Sequence, residues 1–398
     1  MIPKIDKEIG MQVYSTTFKG CGGSIKKNID DFVVNEIISE DIKSMITNNN
    51  GYSLYKLKKQ NIDTNHALNH IFKKYRIRLK SLGLKDARGI TEQYVSTTNK
   101  IKAPDKIFEK KYTLKKICLL SKQINKRHMI ANKFQIKITN PNLPIITFTE
   151  YKKILNFFGY QRFGSKRPVT HLIGKALLQK EFSKAITILL SYTSEYDTKE
   201  NTEIRKKMND KHNYAKCVNE ISHNMDLEKI ILKEMIKHED PLKSLRALPL
   251  IIRRFFIQAY QSFIFNKTLS IAMDENESLY KSQYGDVCFN DKFEICKYNG
   301  EPKQKLAIPI IGYAYYNKTR FHEYIKQILK EEEIKPRDFF VDGMQEISSE
   351  GGFRNAVINC YEQNTDTDVV KFTLTRGCFA TIILREIIKP SDPIRSGF

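Results

Sequence analysis

Residues 81–93 read SLGLKDARGITEQ, and Asp86 is the lone acid between Gly83 and Gly89, beside Lys85 and Arg88. A carboxylate set among cations stays ionised, so it can serve as a nucleophile or as a base. The same letters also spell an ordinary surface turn, since Gly, Lys and Asp are common there. Taken alone, the turn is the simpler reading. HALNH (66–70) places two histidines at i and i+4, a zinc-site spacing, but no glutamate or third ligand accompanies them. They read as incidental residues of a helix. Phe157, Phe158, Tyr160 and Phe163 are interleaved with Arg162, Lys166 and Arg167. Such aromatics are most simply core, and otherwise platforms on which bases stack. GGS (22–24) lacks the continuation of a phosphate loop and is a turn.

These residues sit in a chain of 398 residues, long enough for two domains. Lys plus Arg number 67 against 45 for Asp plus Glu, a formal charge of +22. That excess favours polyanionic partners, nucleic acid or an anionic membrane surface, and says nothing about fold. A lysine- and asparagine-rich proteome would give the same balance. The seven cysteines are odd in number and contain no C-x-x-C pair, which supports neither a disulfide framework nor a zinc ribbon. The start, MIPKIDKEIG, lacks the apolar core of a signal peptide, and no stretch reaches the length of a membrane span. A reduced, cytoplasmic protein with no membrane association is expected.

The elements that must position Asp86 follow from periodicity. FVVNEII (32–38) and YSLYKLKK (52–59) are expected strands, the second opened by the turn signal NNNG. A helix begins at Thr64, with Ala67, Leu68, Ile71 and Phe72 on one face and Lys73, Lys74, Arg76 and Arg78 at its end. Cations there suit the helix dipole, so part of that cluster is structural. From Lys100 to Arg127 runs a second basic segment. NFFGYQRFG (156–164) reads as a helix end, followed by a long helix over 171–192 and a polar stretch. LPLIIRRFFIQAYQSFIFNKTLSIAM (248–273) is apolar nearly all round, as a buried helix would be. VVKFTLTRGCFATIILREII (369–388) returns to strand-like character, and no internal repeat is evident.

Taken together, DDFVVNE, GLKDARGITEQ, NFFGYQRFG, RPVTHLIGKAL, AYQSFIFN and FTLTRGCFATIILREI occur in this order. The set closely resembles the TruD family of pseudouridine synthases. The resemblance implies an α+β fold: a catalytic domain with a mixed or antiparallel sheet flanked by helices, interrupted by an α/β insertion. The expected divisions are 1–174, 175–350 and 351–398. It implies Asp86 as the catalytic aspartate, preceded by Lys85, and Lys26, six residues before Phe32, as a second active-site residue. The acidic position four residues after that lysine is usually glutamate in the family and is Asp30 here. Asn156 and Phe158 match the N-x-F pair, and Phe379 is the aromatic before the C-terminal Ala-Thr. A proline usual in that last block is Thr375.

The implied reaction isomerises uridine, probed by the family at tRNA position 13, and requires neither cofactor nor metal. The N-glycosidic bond breaks and C5 of uracil joins C1′. Asp86 either attacks C1′ or removes the C2′ proton, and both routes stay open. Lys26 is the expected cation beside it, whereas Lys85 is expected to point to phosphate. Phe379 would stack on the extruded base, and Asn156 would meet the uracil edge or support the aspartate. The basic segments 73–80 and 100–127 would hold tRNA phosphates. A different class of protein shares the charge: an RNA-binding protein or RNA chaperone without catalysis. The sequence leaves oligomeric state open, with a monomer as the default.

Overall fold

The computed structural model describes residues 1–101, 103–222 and 225–398. Its centre is a ten-stranded mixed sheet. Along its main path the strands run Tyr361–Thr365, Val369–Thr375, Met129–Lys137, Phe32–Ile38, Ile90–Thr97, Tyr52–Gln60, Tyr112–Leu120 and Ile46–Thr47, with Leu79–Ser81 and Lys106–Glu109 as side branches. Every pairing is antiparallel except one. Phe32–Ile38 and Ile90–Thr97 run parallel, Val33 opposite Ile90. The C-terminal hairpin adds to Met129–Lys137, so the two ends of the chain share one sheet. The α+β class expected from sequence is the class observed.

The expected strands at 32–38 and 52–59 form, and the helix at Thr64 runs Thr64–Tyr75. Asp63 caps it, accepting from the His66 amide at 3.0 Å, and Arg76 ends it in the left-handed region. The block 156–164, expected as a helix end, is instead a loop after strand Lys153–Leu155 with one short turn at Tyr160–Arg162, and two further expectations needed correction. The single helix over 171–192 is two, Thr170–Leu178 and Phe182–Ser191, broken where Lys180 takes a φ of 60°. The break lets both apolar faces turn inward instead of carrying one face past the core. The second correction is at the C-terminus, where Val369–Thr375 is a strand but Ala380–Ile388 is a helix. Its β-branched residues favour a strand, yet all nine of its residues are buried, and packing on every side overrides propensity.

Helix Leu250–Asp274 is the expected buried helix, exposed mainly at its first turn, where Ile251 projects into solvent. Gly174 lies against it so closely that a Cβ would sit 2.1 Å from the Phe256 carbonyl oxygen. A four-stranded sheet (Val287–Phe289, Ile295–Lys297, Lys305–Ile310 and Gly352–Asn355) flanks this helix, and Val357–Asn359 pairs with Lys153–Leu155. No helix among the described residues is long and apolar enough to cross a membrane.

A buried ionic network joins the chain ends. Arg385 is fully buried; its Nε lies 2.5 Å from Asp6 Oδ2 and its Nη1 3.3 Å from Glu386 Oε1. Tyr160 donates to Asp6 at 2.8 Å, and the Ser15 and Thr16 amides donate to Glu386 at 2.9 and 3.1 Å. Each carboxylate therefore has several donors, which is what offsets the desolvation of burying it. Asp6→Ala would leave Arg385 with a single carboxylate. Urea denaturation is expected to show a loss of roughly 3–5 kcal/mol with an unchanged m-value.

Candidate active site

A cleft of about 270 Å³ opens on the sheet where the two chain ends meet. Three segments supply its walls: Lys26 and Phe32 at the start of the first strand, Leu84 to Arg88, and Cys378 to Thr381 at the head of the C-terminal helix. The loop bearing Asp86 leaves Leu79–Ser81 and re-enters the sheet at Ile90, beside Phe32. Gly89 makes that re-entry possible. Its φ is +144°, and a Cβ there would lie 2.5 Å from the Phe32 carbonyl oxygen. The second glycine of GLKDARG is thus a requirement of close strand approach and not only turn chemistry.

Asp86 is exposed at the mouth of the cleft. Lys26 holds a φ of 58°, uncommon for a residue with a side chain, and its Nζ lies 4.8 Å from the Phe32 ring centroid. Burial pushes the Lys26 ammonium below its ordinary pKa; the Asp86 carboxylate opposes that shift and Arg88 adds to it. The expected cation is therefore in the field of the expected carboxylate. Phe379 stands partly exposed on the opposite wall as the cap residue of helix Ala380–Ile388.

Other candidates are placed differently. Lys85 lines the cleft, but its Nζ turns back to the fully buried Glu36 at 3.1 Å instead of pointing outward to phosphate. Glu36 also accepts from the Tyr94 amide at 2.8 Å, so the pair ties the loop to two strands. Asn156 is buried behind the wall, with both halves of its amide engaged. Its Nδ2 donates to the Asn355 carbonyl at 3.0 Å and its Oδ1 accepts from Arg354 at 2.7 Å. At 3% exposure it does not line the cleft. Phe158 is buried too, its ring centroid 6.1 Å from that of Phe379, with the Arg354 guanidinium 3.9 Å over its own centroid. These two residues brace Phe379 from behind. Asp30 is exposed in the turn Ile29–Asp31; its neighbour Asp31 is the buried acid, accepting from the Asn28 amide at 2.6 Å.

Sequence reasoning passed over Arg88, Asn132 and Gln161 in the lining. It also missed three buried polar residues beneath the loop, Lys59, Thr64 and Gln93. One signal was available. In YSLYKLKKQ, Tyr55, Leu57 and Lys59 share a face by strict alternation, which points Lys59 inward.

The fold is that of a pseudouridine synthase: a crystal structure of the tRNA pseudouridine synthase D assigned in Methanosarcina mazei superposes with a TM-score of 0.80 at 26% identity, covering 99% of each chain. A family profile described as tRNA pseudouridine synthase D (TruD) matches residues 8–387. The chain belongs to the tRNA pseudouridine synthase D family, whose reaction is an isomerisation. Among curated relatives, a probable tRNA pseudouridine synthase D of Saccharolobus solfataricus is 30% identical, with 98% of each chain covered. One of Pyrobaculum islandicum is 28% identical, covering all of this chain and 99% of its own.

Gly89→Ala tests the re-entry geometry. It is expected to lower stability by more than ~1 kcal/mol in urea denaturation, because the methyl group must push the Phe32 strand away. Activity should fall further than the folded fraction does.

Proposed function

We propose that this chain isomerises a uridine of tRNA to pseudouridine in the cytoplasm, at position 13 as the resemblance implies, with Asp86 as the reacting carboxylate. One observation carries the assignment: Asp86, Lys26 and Phe379, from three separated segments, line one small cleft with the Lys26 ammonium in the field of the carboxylate. A non-catalytic RNA-binding protein would have no use for a carboxylate where polyanion binds, since its charge weakens that binding locally.

The target base must leave its stack, at a cost of a few kcal/mol. Phe379 offsets part of that, a stacked base contributing ~1–3 kcal/mol. Asp86 then follows one of two routes. In the first, a carboxylate oxygen bonds to C1′ while the C1′–N1 bond breaks and its electron pair leaves on uracil N1. The base turns, C5 bonds to C1′ and displaces the carboxylate, the C5 proton is lost, and N1 is protonated. In the second, Asp86 takes the C2′ proton, the C2′ pair forms a C1′=C2′ bond and N1 departs. C5 then adds to C1′, C2′ regains a proton, C5 loses its own, and N1 is protonated. Lys26 sets a positive charge in the field of the carboxylate before either route begins.

Three polar atoms of lining residues are buried without a hydrogen-bond partner among the described residues: Thr91 Oγ1, Asn132 Oδ1 and Thr381 Oγ1. Orphaned polar groups are rare in folded proteins, and uracil carries complementary donors and acceptors. Asn132 therefore replaces Asn156 as the amide that meets the base. The exposed cations of the hairpin Lys106–Glu109 and Tyr112–Leu120 are suited to tRNA phosphates, which set position and not sequence. Residues 175–350 are read as the insertion, which helps to clamp the substrate.

Unmodified tRNA incubated with the protein should acquire one carbodiimide-dependent reverse-transcription stop, absent with Asp86→Asn. Full activity of Asp86→Asn would refute the assignment; equal tight binding with no stop from either protein would favour the binding-only alternative. Asn132→Leu should lower kcat/KM by about 10-fold or more, the range of a lost buried hydrogen bond. Its unfolding midpoint should not fall, because no partner is lost in the free protein.

A further inference from the structure

Strand Tyr52–Gln60 delivers a lysine to the underside of the Asp86 loop. Lys59 is 1% exposed, and its Nζ donates to three carbonyl oxygens: Ile62 at 2.9 Å, Lys85 at 3.1 Å and Asp86 at 2.8 Å. An ammonium has three protons, and each has an acceptor here. Two further buried residues hold the same loop. Thr64 Oγ1 accepts from the Lys85 amide at 2.9 Å and donates to Gln93 Oε1 at 2.8 Å; Gln93 Nε2 donates to the Gly83 carbonyl at 3.1 Å. The loop thus lacks regular structure of its own but is nailed to the sheet at Gly83, Lys85 and Asp86.

We propose that Lys59 is the positioning residue of the reaction: its ammonium, bound to the carbonyls just before and just after the Asp86 Cα, fixes the backbone from which the Asp86 carboxylate reaches the ribose. This deepens the reading given under Proposed function and rests on Asp86 as the reacting group. Burying an ammonium is costly, and without a specific task an apolar residue would continue the Tyr55–Leu57 face. A hydrocarbon side chain there could not hold carbonyl oxygens. Two contacts on the Asp86 loop, at the Lys85 and Asp86 carbonyls, restrict Asp86 more than one would, and displacement by about 1 Å can cost on the order of 100-fold in rate. The position also gives the clamp a pH dependence. Burial pushes Lys59 down to about 8; the facing Asp63 and Asp86 carboxylates oppose that shift, and Lys85 adds to it. Below about pH 8 the clamp carries its full set of protons, and above it one is lost.

The experiment compares wild type, Lys59→Met and Asp86→Asn on unmodified tRNA, by single-turnover rate, tRNA affinity and pH dependence. Lys59→Met should lose on the order of 100-fold in rate with unchanged tRNA affinity. It should also lack the fall in rate that wild type shows above about pH 8. A merely structural lysine would lower the folded fraction and leave that pH limb in place. Wild-type rate in Lys59→Met beside an inactive Asp86→Asn overturns the clamp alone. Retention of the alkaline limb in the variant does so as well. An active Asp86→Asn overturns both readings. Should Lys59→Met fail to fold, Gln93→Met, which frees the Gly83 carbonyl and takes the acceptor from the Thr64 hydroxyl, should lose about 10-fold in rate at unchanged affinity; a wild-type rate there overturns the proposal.

Discussion

The buried Arg385, held between Asp6 and Glu386, is the interaction on which the cleft depends. Helix Ala380–Ile388 carries Phe379 at its head, and nothing in its β-branched sequence requires it to be a helix or to sit where it does. Its anchoring comes from the N-terminal segment. Asp6 grips the guanidinium, while Ser15 and Thr16 grip Glu386. The Tyr14 ring lies 4.3 Å beneath the same guanidinium. Because the network is buried, its charges are worth having only when all are paired, so the helix has one acceptable seat. That seat brings the last segment of the chain against the first and closes the wall opposite Asp86.

Around Asp86 the many lysines of this basic chain are not equivalent. Lys85 is neutralised by Glu36 and acts as a fastening. Lys59 is spent on backbone carbonyls. Lys26 is left as the buried cation whose charge reaches the carboxylate. The formal +22 describes attraction to polyanions at long range. Chemistry depends instead on which ammonium groups are already occupied, and composition cannot express that.

Much of this was legible along the chain. Short strand-like runs marked the strands at 32–38 and 52–59, and an apolar face after Thr64 marked the helix that follows. The ordered blocks led to Asp86, Lys26 and Phe379, which share the cleft. Asn156 and Phe158 came from the same blocks yet lie behind the wall, because a motif records which residues occur together and not which way they face. The helix split at Lys180 and the helical C-terminus were misread because both depend on what the segments pack against: the first turns two apolar faces inward, the second is buried on all sides.

The sequence by itself determined the family, the α+β class and the strands at 32–38 and 52–59, and it singled out the candidate carboxylate, because each is written in residue type and local spacing. Tertiary structure alone decided that Lys85 turns back to Glu36, which lysine fastens the loop, and which amide oxygen is left unpaired in the cleft. Those outcomes follow from desolvation and hydrogen-bond satisfaction between segments far apart in the chain. Local spacing carries no record of them.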